Sequence, residues 1–500
     1  MTEAGGASCG AAWQLRADAI AARGDAVALE SRDQQVTYAE LARRAAAVRD
    51  QLGRAGVVAG DPVAIVSSGR AHDEGVALAG LLTLGAVAVP LDATAPPARL
   101  ARIAKARGCR AIVIDEGAGS LADAMTDPLE GAELPRVVLD AQGHVVGGPS
   151  PRPAATAPGL REGCFGSILH TSGSTGTPKP VPIAWAGLDA FTAWTSSLVG
   201  LGPGDRVLRV AELVFDLAWF DHLATWRAGA TLLTMSRRDL SAGRALRDAI
   251  AALRPTVIYG VPSMFMKLVA ALPPGEPLTP VPRVVLYAGE VFPPRELAAF
   301  ADRVPGADLY NLYGPTETNV CTYHRVDRAA LDGARETPIG LACPYAACSI
   351  VDEDGSGRVV EGAGVGELVV SGVTTLGGGP YATRDRVERG ADGLFYFRGR
   401  IDRMVKVRGY RVEPGEVEAA LGAHPAVRQA AVVPHDDARL GRTLRAFVAL
   451  RPDVPGDERA LRMFLAERLP PYMVPDKVTS LPELPVTTTG KVDYQALATR

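Results

Sequence analysis

From Pro62 onward, short β-branched runs alternate with longer Ala- and Leu-rich segments: 63–66 before 72–84, 87–89 before 96–107, and then 111–114. Runs at 165–169, 206–210, 231–234, 256–259, 284–287 and 308–312 continue the pattern, with helical segments such as 243–253 and 294–304 between them. Alternation of this kind specifies βα units and parallel sheets, so the expected class is α/β. Ligands in such sheets gather at the carboxyl ends of the strands. Polar segments at 168–181, 287–290 and 313–319 each follow a predicted strand and are expected to share one crevice.

The texture then changes. Residues 116–163 are rich in Gly, Pro and Ala with little periodicity, which predicts an irregular connection. From about residue 340, β-type runs at 349–351, 366–371 and 394–397 are separated by Gly/Asp turns and predict a β-rich subdomain. After Asp402 come a run at 405–407, a helix opening near Pro414, Gly415 and Glu416, runs at 430–433 and 446–450, and a helix at 457–468. That order is α+β. At 500 residues the chain exceeds what one core normally serves. The expected organisation is a large N-terminal region of layered α/β sheets with a β-rich subdomain, residues 1–401, and a smaller α+β domain, residues 402–500.

The formal net charge of −3 argues against nucleic acid or an anionic membrane surface as the main partner, and favours small molecules. Six cysteines, Cys9, Cys109, Cys164, Cys321, Cys343 and Cys348, show no CxxC pair and read as reduced and mostly structural. The N-terminus carries no basic region or apolar stretch of a secretory signal, so the cytoplasm is the expected compartment. The longest apolar stretch, 76–91, is broken by Gly80, Thr83, Gly85 and Pro90 and reads as a buried helix followed by a strand.

Segment 168–181 carries the densest chemistry. Gly173 and Gly176 free the backbone to turn its N–H groups toward phosphate oxygens, Thr171, Ser172, Ser174 and Thr175 add hydroxyls, and Lys179 supplies a cation. The spacing is not that of the GxxxxGK[ST] loop, and Pro180 follows the lysine, so any magnesium ligand must come from elsewhere. Taken alone, the segment reads equally as a polar connection or a phosphate cradle. The basic cluster Arg398, Arg400, Arg403, Lys406, Arg408 and Arg411 is likewise either a solvated face or a phosphate-handling segment between two domains.

In register, eight segments resemble the adenylate-forming enzymes, and specifically the adenylation domains of nonribosomal peptide synthetases: 36–41, 84–92, 169–179, 313–319, 366–368, 381–385, 399–413 and 489–491. The resemblance covers nearly the whole chain. It implies a large N-terminal core with a C-terminal lid hinged at Asp402, and a two-step reaction. A carboxylate attacks the α-phosphate of ATP to give an acyl-adenylate and pyrophosphate; a thiol then takes the acyl group. It further implies that Glu317 coordinates Mg²⁺, Thr316 touches the α-phosphate, and Tyr313 packs against adenine. Asp385 would accept from the ribose hydroxyls, Arg400 would lie near phosphate or ribose, and Lys491 would bridge the substrate carboxylate and α-phosphate. Two positions depart from the pattern: Pro180 and Arg384 stand where this family has glycine.

By the same resemblance Asp216, in Val-Phe-Asp-Leu-Ala-Trp-Phe-Asp, pairs with a substrate ammonium. The other pocket positions carry over as Leu217, Phe220, Tyr259, Leu286, Ala288, Gly289, Leu312, Val320 and Cys321. This apolar set resembles that of L-proline-activating enzymes, including the free-standing ligases that begin pyrrole-2-carboxylate pathways in antibiotic biosynthesis. An uncharged pocket should reject charged side chains. By the resemblance to free-standing ligases, the expected acceptor is a separate peptidyl carrier protein, with Gly409 lining the pantetheine path. A D-alanine or other small-amino-acid ligase, an acyl-CoA synthetase, and a non-catalytic binding relative are the competing readings.

Overall fold

The computed structural model describes residues 20–69, 71–126, 134–148, 165–172, 178–236, 239–240, 242–353, 356–437, 441–451, 457–486 and 492–500. The chain divides into two units. One comprises Met1–Leu91, Ala104–Leu169 and Val181–Ile401; the other comprises Asp92–Ile103, His170–Pro180 and Asp402–Arg500.

In the first unit, Val27–Glu30, Thr231–Leu233, Arg206–Leu208, Val257–Gly260, Val284–Tyr287 and Asp308–Tyr313 lie side by side and parallel. Thr322–Arg325 and Leu341–Ala342 extend one edge, and Gln35–Thr37 the other, all antiparallel. Val257–Gly260 and Val284–Tyr287 are buried at every position, so they read as continuous apolar runs. The two-residue strand period still sorts their side chains. Tyr259, Leu286, Tyr310 and Leu312 face one core, while Ile258, Val285, Tyr287 and Leu309 face another.

A second sheet places Val145–Gly147, Arg136–Leu139, Ala111–Asp115, Pro62–Val66 and Val87–Leu91 in that order, and Phe165–Thr171 joins it through Ser167 opposite Ala88. The apolar stretch forms the expected buried helix, Ala71–Leu84, and strand, Val87–Leu91. The region 116–163 departs from expectation: its described part holds a helix, Gly119–Thr126, and the strands Arg136–Leu139 and Val145–Gly147. Strands of three and four residues are too short to display a period. Arg136–Leu139 is ordered by parallel pairing with Ala111–Asp115, and Asp140 closes the turn by accepting from Gln142 N (2.9 Å) and His144 N (2.8 Å). The β-rich subdomain is an antiparallel sheet of Ala346–Val351, Gly364–Gly372, Tyr381–Arg389 and Phe395–Arg400.

The second unit is α+β. Val427–Asp437, Gly441–Leu450 and Lys477–Leu481 form its sheet, and the helices Pro414–Gly422 and Glu458–Ala466 bury Val417, Leu421, Leu461 and Leu465 in one core with Val432, Leu444 and Val448. The strands Val405–Val407 and Tyr410–Val412 are joined by Arg408 and Gly409, both at positive φ (52° and 85°), the two-residue turn that matches strand twist. Arg99 and Glu416 make a buried ion pair at 2.6 Å in this unit. Arg403 is held by Glu418 and the ring of Tyr494, and in the first unit Arg398 is held by Glu336 and Glu388. Much of the basic cluster is thus neutralised internally. Among the described residues, no helix is long and apolar enough to cross a membrane, and Cys109, Cys321, Cys343 and Cys348 are free thiols.

Candidate active site

In the first unit the strand Asp308–Tyr313 ends in a sharply folded segment. A Cβ at Gly314 would lie 1.7 Å from the Asn319 carbonyl oxygen, so only glycine fits there. Asn319 takes a left-handed φ of 52° and its side chain accepts from Val320 N at 2.5 Å. This fold-back presents Thr316 half-buried and Glu317 buried. Tyr313 donates its hydroxyl to Asp385 Oδ2. Arg400 Nη1 donates to Asp385 Oδ1 at 2.7 Å and to the Thr383 carbonyl at 2.9 Å. Burial, then the Asp385 carboxylate, push the Tyr313 phenol far above its ordinary pKa, so it is a neutral donor.

Arg384 explains the family's glycine. Its φ is 61°, in the irregular stretch 383–385 between the pairs Val369–Ala382 and Glu367–Arg386, and its N–H donates to Glu367 Oε1 at 2.9 Å. That stretch leaves Asp385 opposite Arg400, so the register of the carboxylate survives the arginine. Among the described residues no cluster of three or more His, Cys, Asp or Glu is arranged to hold a metal. Glu317 is a buried carboxylate, a hard oxygen donor of the kind Mg²⁺ takes one or two of beside phosphate oxygens and water.

Most positions expected to line the substrate pocket share one core with Tyr259. Phe215, Asp216 and Leu217 form a half-buried turn whose carbonyls accept from Ala218, Trp219 and Phe220 N–H at 3.2, 3.2 and 3.1 Å. Phe220 meets the Tyr259 ring edge-to-face, 5.5 Å between centroids. Burial, then the carboxylates of Asp216 and Asp221, hold the Tyr259 phenol far above its usual range. Leu286, Ala288, Leu312 and Val320 are buried in the same core, and Gly289 follows at a φ of 88°. Cys321 differs. It is fully buried and packs in a separate cluster with Ile339, Ile350 and Leu368, against which Tyr313 also packs.

Sequence reading missed several contributors. Tyr345 donates its hydroxyl to the Val320 carbonyl at 2.8 Å, and its ring packs edge-on to Trp194, 5.6 Å away. Arg209, 1% exposed, pairs with Glu74. Asp221 was visible as the second acid of the 214–221 segment, but nothing local marked it as buried. Tyr345 and Arg209 meet partners 25 and 135 residues away, and Asp221 meets its own 10 and 11 residues back.

In the second unit, Thr171 is buried. Ser172 donates its hydroxyl to the Arg411 carbonyl and accepts from Glu413 N, both at 2.9 Å, so its proton is committed. Lys179 is exposed and Gly409 sits in the two-residue turn. Asp402 Oδ1 accepts from Met404 N at 3.2 Å. Gly173, Ser174, Thr175, Gly176 and Lys491 lie outside the described residues.

The AMP-binding enzyme family matches residues 16–378, and the C-terminal domain of AMP-binding enzymes matches residues 416–491. An L-proline–L-prolyl-carrier protein ligase of Streptomyces coelicolor is 36% identical, over 92% of this chain and 91% of that protein. A protein of the same name from Pseudomonas fluorescens is 36% identical, over 83% of this chain and 84% of its own. Among solved structures, the amide bond synthetase McbA of Marinactinospora thermotolerans superposes with a TM-score of 0.80 at 25% identity, covering 97% of this chain and 99% of its own.

Proposed function

Because the chain belongs to the AMP-binding enzyme family, we propose that it activates L-proline with ATP as prolyl-AMP and transfers the prolyl group to the phosphopantetheine thiol of a separate peptidyl carrier protein. Two relatives that match it over most of its length are ligases of that name. The observation that carries the amino-acid reading is Asp216: a half-buried carboxylate whose neighbours Phe215 and Leu217 pack against the apolar core that holds Phe220 and Tyr259.

In this reading Asp216 takes the substrate ammonium, and the aliphatic ring lies against Leu217, Phe220, Tyr259, Leu286, Ala288, Leu312 and Val320, with Gly289 completing the set and Cys321, packed in the separate cluster, left out of it. A charge-assisted hydrogen bond in an apolar setting fixes orientation as well as affinity. The substrate carboxylate attacks the α-phosphorus, and pyrophosphate leaves. Tyr313 packs on adenine, Asp385 accepts from the ribose hydroxyls, and Arg400 holds Asp385. Thr316 reaches the α-phosphate; Thr171, Gly173, Ser174, Thr175, Gly176 and Lys179 serve the outer phosphates, while the Ser172 hydroxyl, committed to the Arg411 carbonyl, holds the segment instead of donating to phosphate. Glu317 would hold Mg²⁺, which when bound neutralises charge developing on the phosphoryl oxygens. Lys491 bridges the two reacting groups, the lid turns about Asp402, and Gly409 lines the pantetheine path for the second step. The protein works in the cytoplasm, where thiol acceptors stay reduced.

The test is amino-acid-dependent ATP–pyrophosphate exchange with Mg²⁺ across L-proline, D-proline, D- and L-alanine, valine, phenylalanine and salicylate. Exchange confined to L-proline is the expected result. Strong exchange with D-alanine or valine would replace the substrate and keep the mechanism. Silence with every acid, in folded protein, would point to a binding relative.

A further inference from the structure

Asp221 is a fully buried carboxylate that the proposed reaction does not use. Its Oδ2 accepts from Val210 N at 3.2 Å and Ala211 N at 3.4 Å, just past the strand Arg206–Leu208. Its own N–H donates to the Leu217 carbonyl at 3.5 Å. One residue therefore ties both ends of segment 210–217, and Asp216 lies inside that segment. The Tyr259 hydroxyl feels both carboxylates.

Burying such a group is expensive unless hydrogen bonds and a nearby cation offset the cost. Here burial pushes its pKa up to about 8, while Val210 N–H, the Arg209 guanidinium and Ala211 N–H pull the other way. Arg209 is in turn anchored by Glu74. The cluster is thus a supported clasp under the turn that presents Asp216.

We propose that Asp221 is a positioning residue for Asp216: by clasping segment 210–217 it fixes the Asp216 carboxylate before the amino acid arrives. The inference rests on the amino-acid reading above. The experiment measures pyrophosphate exchange in wild type, Asp221→Ala and Asp221→Asn, varying L-proline and ATP separately. Asp221→Ala should raise the KM for L-proline about tenfold or more, with the KM for ATP and kcat within about threefold. Asp221→Asn keeps an acceptor for the two N–H groups and should recover most of the loss, leaving the L-proline KM about two- to fourfold raised. A proportional rise in both KM values, or no rise in that for L-proline, would overturn the proposal; so would an asparagine variant as impaired as the alanine one. If Asp221→Ala does not fold by circular dichroism, Asp221→Asn decides alone, and wild-type KM values in it overturn the proposal. A wild type silent toward L-proline would instead sink the underlying reading, and the control separates the two failures.

Discussion

Arg400 and Asp385 form an ion pair of 2.7 Å between side chains only 13% and 7% exposed. They face each other across adjacent antiparallel strands, and the second carboxylate oxygen takes the Tyr313 hydroxyl. Both oxygens thus have protein partners, so the orientation of Asp385 is set by the fold.

Asp385→Asn should raise the KM for ATP about tenfold while leaving that for L-proline within about twofold. It should also lower the thermal midpoint, because Arg400 loses its buried counter-charge. Exchange kinetics and a thermal scan on the same preparation check both parts, and an unchanged ATP KM would remove Asp385 from the ribose site.

Asp216→Asn should cost L-proline exchange about two orders of magnitude in kcat/KM, roughly 3 kcal/mol of interaction with the ammonium. Its melting temperature should match wild type, since the side chain is half-buried and the change nearly isosteric. Full activity in this variant would favour an acid without an amine.

Arg384→Gly should stabilise the protein. The residue sits at a φ of 61°, where a Cβ crowds the backbone, and relief of about 1–2 kcal/mol outweighs the added unfolded-state freedom of glycine, about 0.4–1 kcal/mol. The N–H bond to Glu367 survives. A raised thermal midpoint with unchanged exchange kinetics is expected; a lowered one would show that the arginine side chain contributes more than the strain.

His72 links stability to pH. Burial first, and the Arg44 guanidinium second, hold its pKa down to about 4 from an ordinary 6.5, and its Nδ1 lies 2.7 Å from Thr234 Oγ1. Below the ordinary value the unfolded chain binds a proton that the folded chain refuses, so stability is lost as pH falls from about 6.5, until both states are protonated below about 4. His72→Gln removes that contribution. Between about pH 7 and pH 5 its urea midpoint should fall less than that of wild type; parallel slopes would assign the acid sensitivity to other groups.

The sequence by itself determined the α/β class, the positions of most of the parallel strands along the chain, the buried helix Ala71–Leu84 before the strand Val87–Leu91, and the motif residues of the candidate site. These are local properties: burial on both faces makes a strand read as an apolar run, and a motif is a short string. Tertiary structure alone decided how those residues are held. Tyr313 meets Asp385 across 72 residues, and Ser172 meets Arg411 across 239. The short strand Arg136–Leu139 and the packing of Cys321 with Ile350 and Leu368 likewise rest on partners elsewhere in the chain. A polar side chain looks the same in a sequence whether it is solvated or clasped, because what distinguishes the two is the surrounding chain that excludes water and supplies the hydrogen bonds.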